Sequence, residues 1–428
     1  MRHGSGAISL TGYAGAAGLV GFGCHCGILD PVKYDVLIIG AGLNGMSLAL
    51  ALAGAGRQVA VLDARAAPAA VTPAADAPFD TRIYAIGPAS AAWLDVPKVW
   101  NALDPSRIAP VYDMQVYGDS ARDQVPSLGL SAYRAGIGEL CTIVEERELA
   151  RVLASAAQFA ARLTIFRPAT AERLQLDADA ARVVLADGSV LEADLVVAAD
   201  GARSWARAAA GIAVDTIDYR QTAIVANFEC ARPHHNCAAQ WFRRELGGGS
   251  GILAYLPLPG RKISIVWSVA TDEALRLTAL DMPLFAERVA AAGMDWLGAL
   301  VPAGARAAFN LVNQRARQLA APRFALVGDA AHVLHPLAGQ GLNLGFGDCA
   351  ELFARLQGVP DCGDVRVLRA YERARKAALA DMHFVTHGLA RLFGSPHPAL
   401  TALRNMGLNL AGRLPVLPQL IVRAATGG

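Results

Sequence analysis

A chain of 428 residues is long enough for about three domain-sized units around a sizeable core. With 54% hydrophobic residues, 18% charged residues and a net charge of +2, it lacks a basic field, and no basic stripe interleaved with aromatics appears, which excludes nucleic acid as a partner. The seven cysteines are scattered, odd in number and contain no Cys-x-x-Cys pair; this argues against a disulfide framework and a zinc site, and a reducing cytoplasm fits best.

Residues 1–31 come before any clear element. Ala7 to Leu29 is uncharged apart from His25 and follows Arg2 and His3, so a signal peptide or a membrane span must be weighed. Six glycines between Gly12 and Gly27 interrupt the apolar run, which favours translation starting at Val32 and poor order for residues 1–30 when they are present.

Tyr34 to Ile39 is an apolar run ending in Gly40-Ala41-Gly42-Leu43-Asn44-Gly45, followed by the small-residue stretch Met46 to Gly56. The pattern reads as buried strand, tight turn and helix, a dinucleotide site. Gly40 permits the turn, Gly42 lets the backbone approach a pyrophosphate, and Gly45 lets the helix pack on the strand, so that phosphates meet the free N–H groups of the helix start. A second strand, Gln58 to Leu62, ends in Asp63, 18 residues after Gly45 and close to the roughly 20 expected for a ribose-binding carboxylate.

Ala64 to Ala77 reads as a loop and leads through Phe79-Asp80-Thr81-Arg82 to a short helix around Trp93. Arg82 either reaches the nucleotide phosphates or is an ordinary surface arginine. Val111 to Tyr117 alternates like a strand with Ser131 to Gly138 as its partner, and Leu140 to Leu149 opens a helix running to about Gln158. Strands are expected at Leu163–Phe166, Ala171–Leu176, Ala181–Leu185 and Val190–Glu192, then a buried strand ends at Asp200-Gly201, on the side where open α/β sheets bind ligands. From 215 to 314 the character changes: Thr222–Phe228, Ala239–Arg243, Gly251–Pro257 and Lys262–Val269 suggest one antiparallel sheet, followed by helices near Pro283–Ala292 and Asp295–Leu300. Its apolar strands could wall a substrate cavity, with Trp241, Tyr255 and Trp267 as core or as substrate contacts.

The chain then returns to a nucleotide-type sheet. A buried strand from Arg323 ends at Gly328-Asp329, a turn carries His332, His335, Pro336, Gly339 and Gln340, and a helix starts near Gly341-Leu342-Asn343. His332 and His335 have zinc-like spacing without a carboxylate or cysteine partner in the turn, so no metal is expected; His234-His235-Asn236-Cys237 is read the same way. Val367 to Phe393 is a long amphipathic helix, and Leu400 to Ala425 is an apolar tail that either packs on its own protein or lies in a membrane interface.

Gly-x-Gly-x-x-Gly at the start, Asp-Gly in the middle, and Gly328-Asp329-Ala330-Ala331-His332 followed by His335-Pro336-Leu337-Ala338-Gly339-Gln340-Gly341-Leu342-Asn343-Leu344-Gly345 and Asp348 resemble group A flavoprotein aromatic hydroxylases, and more closely their ubiquinone-biosynthesis branch. Asp80-x-Arg82 with Ser90, Val144-Glu145 with Arg147 and Leu149, and Leu256-Pro257-Leu258 with Val266-Trp267-Ser268 resemble the same branch, over residues 34 to about 420. The resemblance implies an α/β aromatic-hydroxylase-like fold: a discontinuous Rossmann-like FAD-binding domain (32–110, 140–214 and 315–360), an antiparallel substrate domain (111–139 and 215–314) and a C-terminal helical region (361–428). It implies FAD, with Gly40, Gly42, Asn44 and Gly45 around the pyrophosphate and Asp63, where most relatives have Glu, at the adenosine ribose. Arg82 and Arg147 flank the phosphates and ribityl chain, Asp200 lies at the cofactor's edge, and Gly328 and Asp329 meet the ribityl hydroxyls. Pro336, Gly339, Gln340, Gly341, Leu342 and Asn343 lie against the ring. Glu146 stands where the branch more often carries Asn, which leaves that contact open.

NAD(P)H is the implied hydride donor, binding transiently without a domain of its own, and O2 reacts through a flavin C4a-hydroperoxide to hydroxylate a polyprenylated phenol or benzoquinol. The enzyme is then expected in the cytoplasm, peripheral at the inner face of the membrane, with other quinone-biosynthesis enzymes as further partners. Two alternatives stay open: a hydroxylase of a small soluble phenol, and a non-catalytic flavin-fold scaffold of the quinone pathway. A flavin halogenase is disfavoured because no Trp-x-Trp-x-Ile-Pro is present. No catalytic acid or base can be singled out. Ring position, tail length, NADH or NADPH preference and oligomeric state are not encoded in any motif.

Overall fold

The computed structural model describes residues 33–66, 77–118, 126–244, 250–333 and 341–394. The strand Lys33–Ile39 is apolar because it is buried on both faces, paired in parallel with Val59–Leu62 on one side and Val190–Ala198 on the other. The full parallel run is Phe324–Leu326, Val190–Ala198, Lys33–Ile39, Val59–Leu62 and Leu163–Phe166, extended by the short antiparallel strand Ala320–Ala321 and by the hairpin Ala171–Leu176 and Ala181–Leu185. Helices Leu43–Gly54, Glu146–Ala157 and Gly341–Leu356 pack together beside it, the last against the long helix Val365–Gly394. All the parallel strands point the same way, so Gly40, Asp63, Asp200 and Gly328 emerge at one edge.

The second sheet runs His332–Val333, Ala307–Ala316, Val214–Cys230, Lys262–Ala270, Ser250–Leu258, Cys237–Arg244, Asp113–Tyr117 and Leu128–Ser131, with Leu300–Pro302 added beside Val214–Cys230. All its pairs are antiparallel except the one between Cys237–Arg244 and Asp113–Tyr117. Helices Thr271–Ala279 and Met282–Ala292 cover one face over Trp241, Tyr255 and Trp267, and the second helix sends Phe285 into that core. A small third sheet, Ile83–Ile86, Cys141–Glu145 and Ile108–Val111, sits between the two.

Three local expectations differ from the fold. Leu140 to Leu149 is a strand, Cys141–Glu145, before it becomes the helix Glu146–Ala157, because Thr142, Ile143 and Val144 are β-branched and enter a buried three-stranded sheet. The partner of Asp113–Tyr117 is Leu128–Ser131, and the chain then makes one helical turn, Ala132–Ala135, ended by Gly136 at φ 71°. Asp295 to Leu300 is a turn with Met294 and Asp295 at positive φ, while an unanticipated helix, Thr271–Ala279, carries Asp272 and Glu273 in its first turn. Among the described residues no helix is long and apolar enough to cross a membrane.

Candidate functional site

The carboxyl edge of the parallel sheet opens into a cavity of about 900 Å³ whose far wall is the antiparallel sheet. Gly40 has φ 112°, and a Cβ there would stand 2.3 Å from the Ala199 carbonyl oxygen; one on Gly45 would stand 2.0 Å from the Gly40 oxygen. These two glycines therefore seal the turn beneath the cavity, while Gly42 faces open space. Gly42 caps the helix Leu43–Gly54 without a side-chain hydrogen bond, which leaves the first N–H groups available to an anion.

Asp63 follows the second strand and borders the cavity. Its Oδ2 accepts from the Ala41 N–H at 2.9 Å, and its Oδ1 accepts from the Arg65 N–H at 2.8 Å. The Arg65 guanidinium adds bonds of 3.2 and 3.1 Å. Burial alone would raise this carboxyl, but the bonds from Arg65 and Ala41 outweigh it and hold Asp63 below the usual carboxylate range. Arg65, which no motif flagged, is mostly exposed and lines the same end of the cavity. Asp200 accepts from Ser204 Oγ at 2.5 Å and the Ala206 N–H at 3.0 Å, closing the turn that carries Gly201 at φ 84°.

Arg82 lines the cavity with its Nη1 3.1 Å from Glu146 Oε2 and its guanidinium 5.6 Å from the centre of the Phe309 ring. Tyr84 donates to the same Glu146 oxygen at 3.3 Å, and burial pushes its phenol well up. Arg147 is not brought to the cavity: it donates to the Pro78 carbonyl at 2.8 Å and stands 3.6 Å from Glu145, which is fully buried against Arg107. That Arg107–Glu145 pair, with Glu145 also accepting from the Asp80 N–H at 2.7 Å, fixes the segment leading to Arg82. Sequence reasoning missed it, although the polar Glu145 at the end of a β-branched run was a signal.

The third landmark closes the site. Gly328 has φ 62°, and the Asn44 amide lies where its Cβ, or that of Gly345, would be, at 2.3 and 2.4 Å. Asn44 thus threads between the strand end and the second helix, its Oδ1 buried with no partner among the described residues. Asp329 is open to the cavity yet walled by protein on most sides; this desolvation raises its carboxyl, against the pull of His332 and Arg82. Gly341 and Leu342 line the cavity at the helix start, while Asn343 turns away, donating to the Ala85 carbonyl at 2.8 Å and accepting from the Gly87 N–H at 3.0 Å. Pro336, Gly339 and Gln340, and His335 with them, lie outside the described residues.

Beneath this turn Asp348 is completely buried. It accepts from the Gly328 N–H at 2.9 Å, His332 Nε2 at 2.7 Å and Arg375 Nε at 2.7 Å. Burial would raise its carboxyl, and His332, Arg375 and the Gly328 N–H together hold it low. Among the described residues no group of three or more His, Cys, Asp or Glu side chains could hold a metal. Trp241 stacks on Tyr117 at 5.2 Å and, with Trp267, lies in the core under the helices; Tyr255, which also borders the cavity, donates its hydroxyl to the Val289 carbonyl at 2.7 Å.

The site suits FAD: a helix start at Gly42 with no side-chain cap, whose N–H groups can donate to a pyrophosphate, and turns at Gly40, Gly45 and Gly328 that accept no Cβ. Comparison with known proteins agrees. Residues 124–383 match the family model described as an FAD binding domain, and residues 35–93 match an FAD dependent oxidoreductase model. The chain is 35% identical to a ubiquinone hydroxylase of Rhodospirillum rubrum, over 92% of this chain and 89% of that protein. It is 31% identical to the 3-demethoxyubiquinol 3-hydroxylase of Escherichia coli, over 92% and 98%. The fold matches the crystal structure of p-nitrophenol 4-monooxygenase from Pseudomonas putida with a TM-score of 0.74, covering 92% of this chain and 99% of that one at 20% identity.

Proposed function

The chain belongs to the FAD-binding flavoprotein monooxygenases, an aromatic-hydroxylase family in which it is related to the ubiquinone hydroxylases, and from that premise we propose that it hydroxylates the ring of a polyprenylated phenol or benzoquinol, using NAD(P)H and O2. The observation that carries this is the single cavity running from the glycine turns to an apolar sheet face, which puts a nucleotide end and a ring-sized apolar end in one enclosure. When bound, FAD supplies the redox and oxygen chemistry. Gly40, Gly42 and Gly45 bring the N–H groups of the first helix to the pyrophosphate, and Asp63 takes the adenosine ribose once Arg65 swings off it. Arg82 neutralises phosphate charge and Asp329 accepts from ribityl hydroxyls. The helix start at Gly341–Asn343, with Pro336, Gly339 and Gln340 before it, turns its N–H groups and positive dipole end toward the flavin edge that becomes anionic on reduction. The antiparallel sheet keeps water from the reacting ring.

A lipid substrate calls for work at a membrane surface. Tyr133, 92% exposed, and Tyr112, 45% exposed, flank the cavity-lining stretch around Val111 and Leu140, and aromatic side chains of this kind suit a membrane–water interface. The test is a mass-spectrometric profile of quinone lipids from cells lacking the gene and grown in air. A fall in ubiquinone with accumulation of a precursor lacking one oxygen supports the proposal. An unchanged profile, also in a strain stripped of its other ring hydroxylases, sinks it in favour of a soluble phenol.

A further inference from the structure

The cavity wall opposite the nucleotide turns is built from small or uncharged side chains. Strand alternation puts Ala223, Val225, Ala254, Ser264, Val266 and Ser268 on this face and the large aromatics on the other. Register lines up Gln240, Ala254, Val266 and Val225 as one row across four strands. Ser264 and Ser268 stand two positions either side of Val266 on its own strand, pointing the same way. At Ala254 the row is shallow, since only a methyl group projects there.

Polar groups with no hydrogen-bond partner among the described residues border this seat. Gln240 is 5% exposed, lines the cavity, and its amide makes no hydrogen bond with the described residues. Ser264 Oγ is buried and has no partner among them either. Its cross-strand neighbour Asn227 holds a second such oxygen, Oδ1, its amide nitrogen being spent on the Phe79 and Asp80 carbonyls at 3.0 and 2.9 Å. Buried polar groups left unpaired are costly, and a ligand that pairs them recovers that cost. Among the described residues, no strand of this sheet sends a charged side chain into the cavity; Asp63, Arg65, Arg82, Glu146, Asp329 and, beyond the end of the strand Val190–Ala198, Asp200 and Arg203 all belong to the nucleotide side. Arg82, which reaches as far as the Phe309 ring, is already paired with Glu146.

We propose that Gln240 sets the orientation and class of the substrate: its amide holds an oxygen of an uncharged aromatic ring seated over Ala254 and Val266, Ser264 and Ser268 flank that ring, and a ring bearing a carboxylate is rejected. This rests on the reading of the site as a flavin hydroxylase acting on a phenol or quinol. A primary amide both donates and accepts, so it serves a phenol hydroxyl and a quinol or quinone oxygen alike. A carboxylate brought to this wall finds no cation and loses its water.

The test uses the FAD-loaded protein and follows the change in flavin absorbance on titration with a short-chain prenylphenol and with the same ring carrying a carboxylate. Gln240→Met keeps the volume without the amide, and Ala254→Leu fills the seat. The wild type should bind the neutral ring at least about tenfold more tightly than the carboxylated one. Gln240→Met should lose about tenfold in affinity for the neutral ring with its flavin content unchanged, and Ala254→Leu should lose binding even if Gln240→Met fails to fold. Equal affinity of Gln240→Met and wild type for the neutral ring, or equal affinity of the wild type for both rings, overturns the proposal and leaves the hydroxylase reading intact. If neither ring perturbs the wild-type flavin, that reading falls and the proposal with it.

Discussion

The two walls of the cavity are made in opposite ways. The nucleotide wall is backbone and charge: turns whose glycines admit no Cβ, helix starts with free N–H groups, and carboxylates or guanidiniums at the strand ends. The facing wall is side chain only, a surface of methyl groups, hydroxyls and one amide on strands whose other face is packed with rings. A wall built of backbone tolerates almost no change, because every added atom meets something that cannot move. A wall built of small side chains can be reshaped at little cost in stability, and so it is where specificity can be tuned.

The sharpest break of this contrast is Gly40→Ala. Its Cβ meets the Ala199 backbone at 2.3 Å in a conformation that L residues rarely adopt, so we expect a loss of more than about 4 kcal/mol and protein purified without flavin colour. Next come the two faces of the antiparallel sheet: Trp241→Ala, under the helices, should cost about 3–5 kcal/mol by denaturant midpoint, whereas Val266→Ala, facing the cavity, should cost only about 1 kcal/mol and change KM. Comparable losses at both positions would refute the division into a packed and an open face.

Asp348→Asn probes the support beneath the nucleotide wall and should cost about 2–3 kcal/mol at neutral pH. Its folded carboxyl lies below the ordinary 3.8, so its contribution is complete above that value and disappears as pH falls through it toward the lower folded value. The wild type should therefore lose stability across that acid range and approach the variant, whose own curve lacks this component; urea melts at stepped pH read this directly. The smallest effect is at Asp329, whose folded carboxyl is raised, so its charge disfavours the fold above the folded value and the penalty is relieved as pH falls. Asp329→Asn should leave the apoprotein slightly more stable at neutral pH while weakening FAD by about tenfold, measured by thermal melt and by flavin fluorescence titration.

The same contrast explains what was legible in the chain. Glycine spacing dictates backbone, so Gly40, Gly42, Gly45 and Gly328 mark their turns, and Asp63, Asp200 and Asp329 the strand ends, in the sequence itself. Side-chain direction was not legible. The family resemblance puts Arg82 and Arg147 alike beside the phosphates and ribityl chain, yet Arg147 turns to the Pro78 carbonyl and Arg82 into the cavity. Arg65 stayed hidden because its meaning depends on the Asp63 carboxylate two residues earlier folding back on it. Gln240 was invisible for another reason: its proposed role rests on an amide with no hydrogen bond to the described residues, and an alternating strand shows which residues share a face but not which of them lack a partner. Cys141–Glu145 was misread because charged residues at 145 to 148 gave the segment a helical look, and only pairing with Ile83–Ile86 and Ile108–Val111 decided for a strand.

The parallel run is not finished when its first four strands have been made. Phe324–Leu326, which takes its place beside Val190–Ala198, and the Asp329 and Gly341 edge are encoded after the whole antiparallel sheet except its last short strand. On the ribosome, the glycine turn at Gly40 therefore waits through nearly three hundred codons for the residues that complete its own wall of the cavity. If the Asp329 and Gly341 edge holds the flavin as proposed, loading can come only after this last part of the sheet is made. A nonsense or frameshift product ending between residues 64 and 320 carries the dinucleotide motif intact, yet it lacks the Asp329 and Gly341 edge of the cavity.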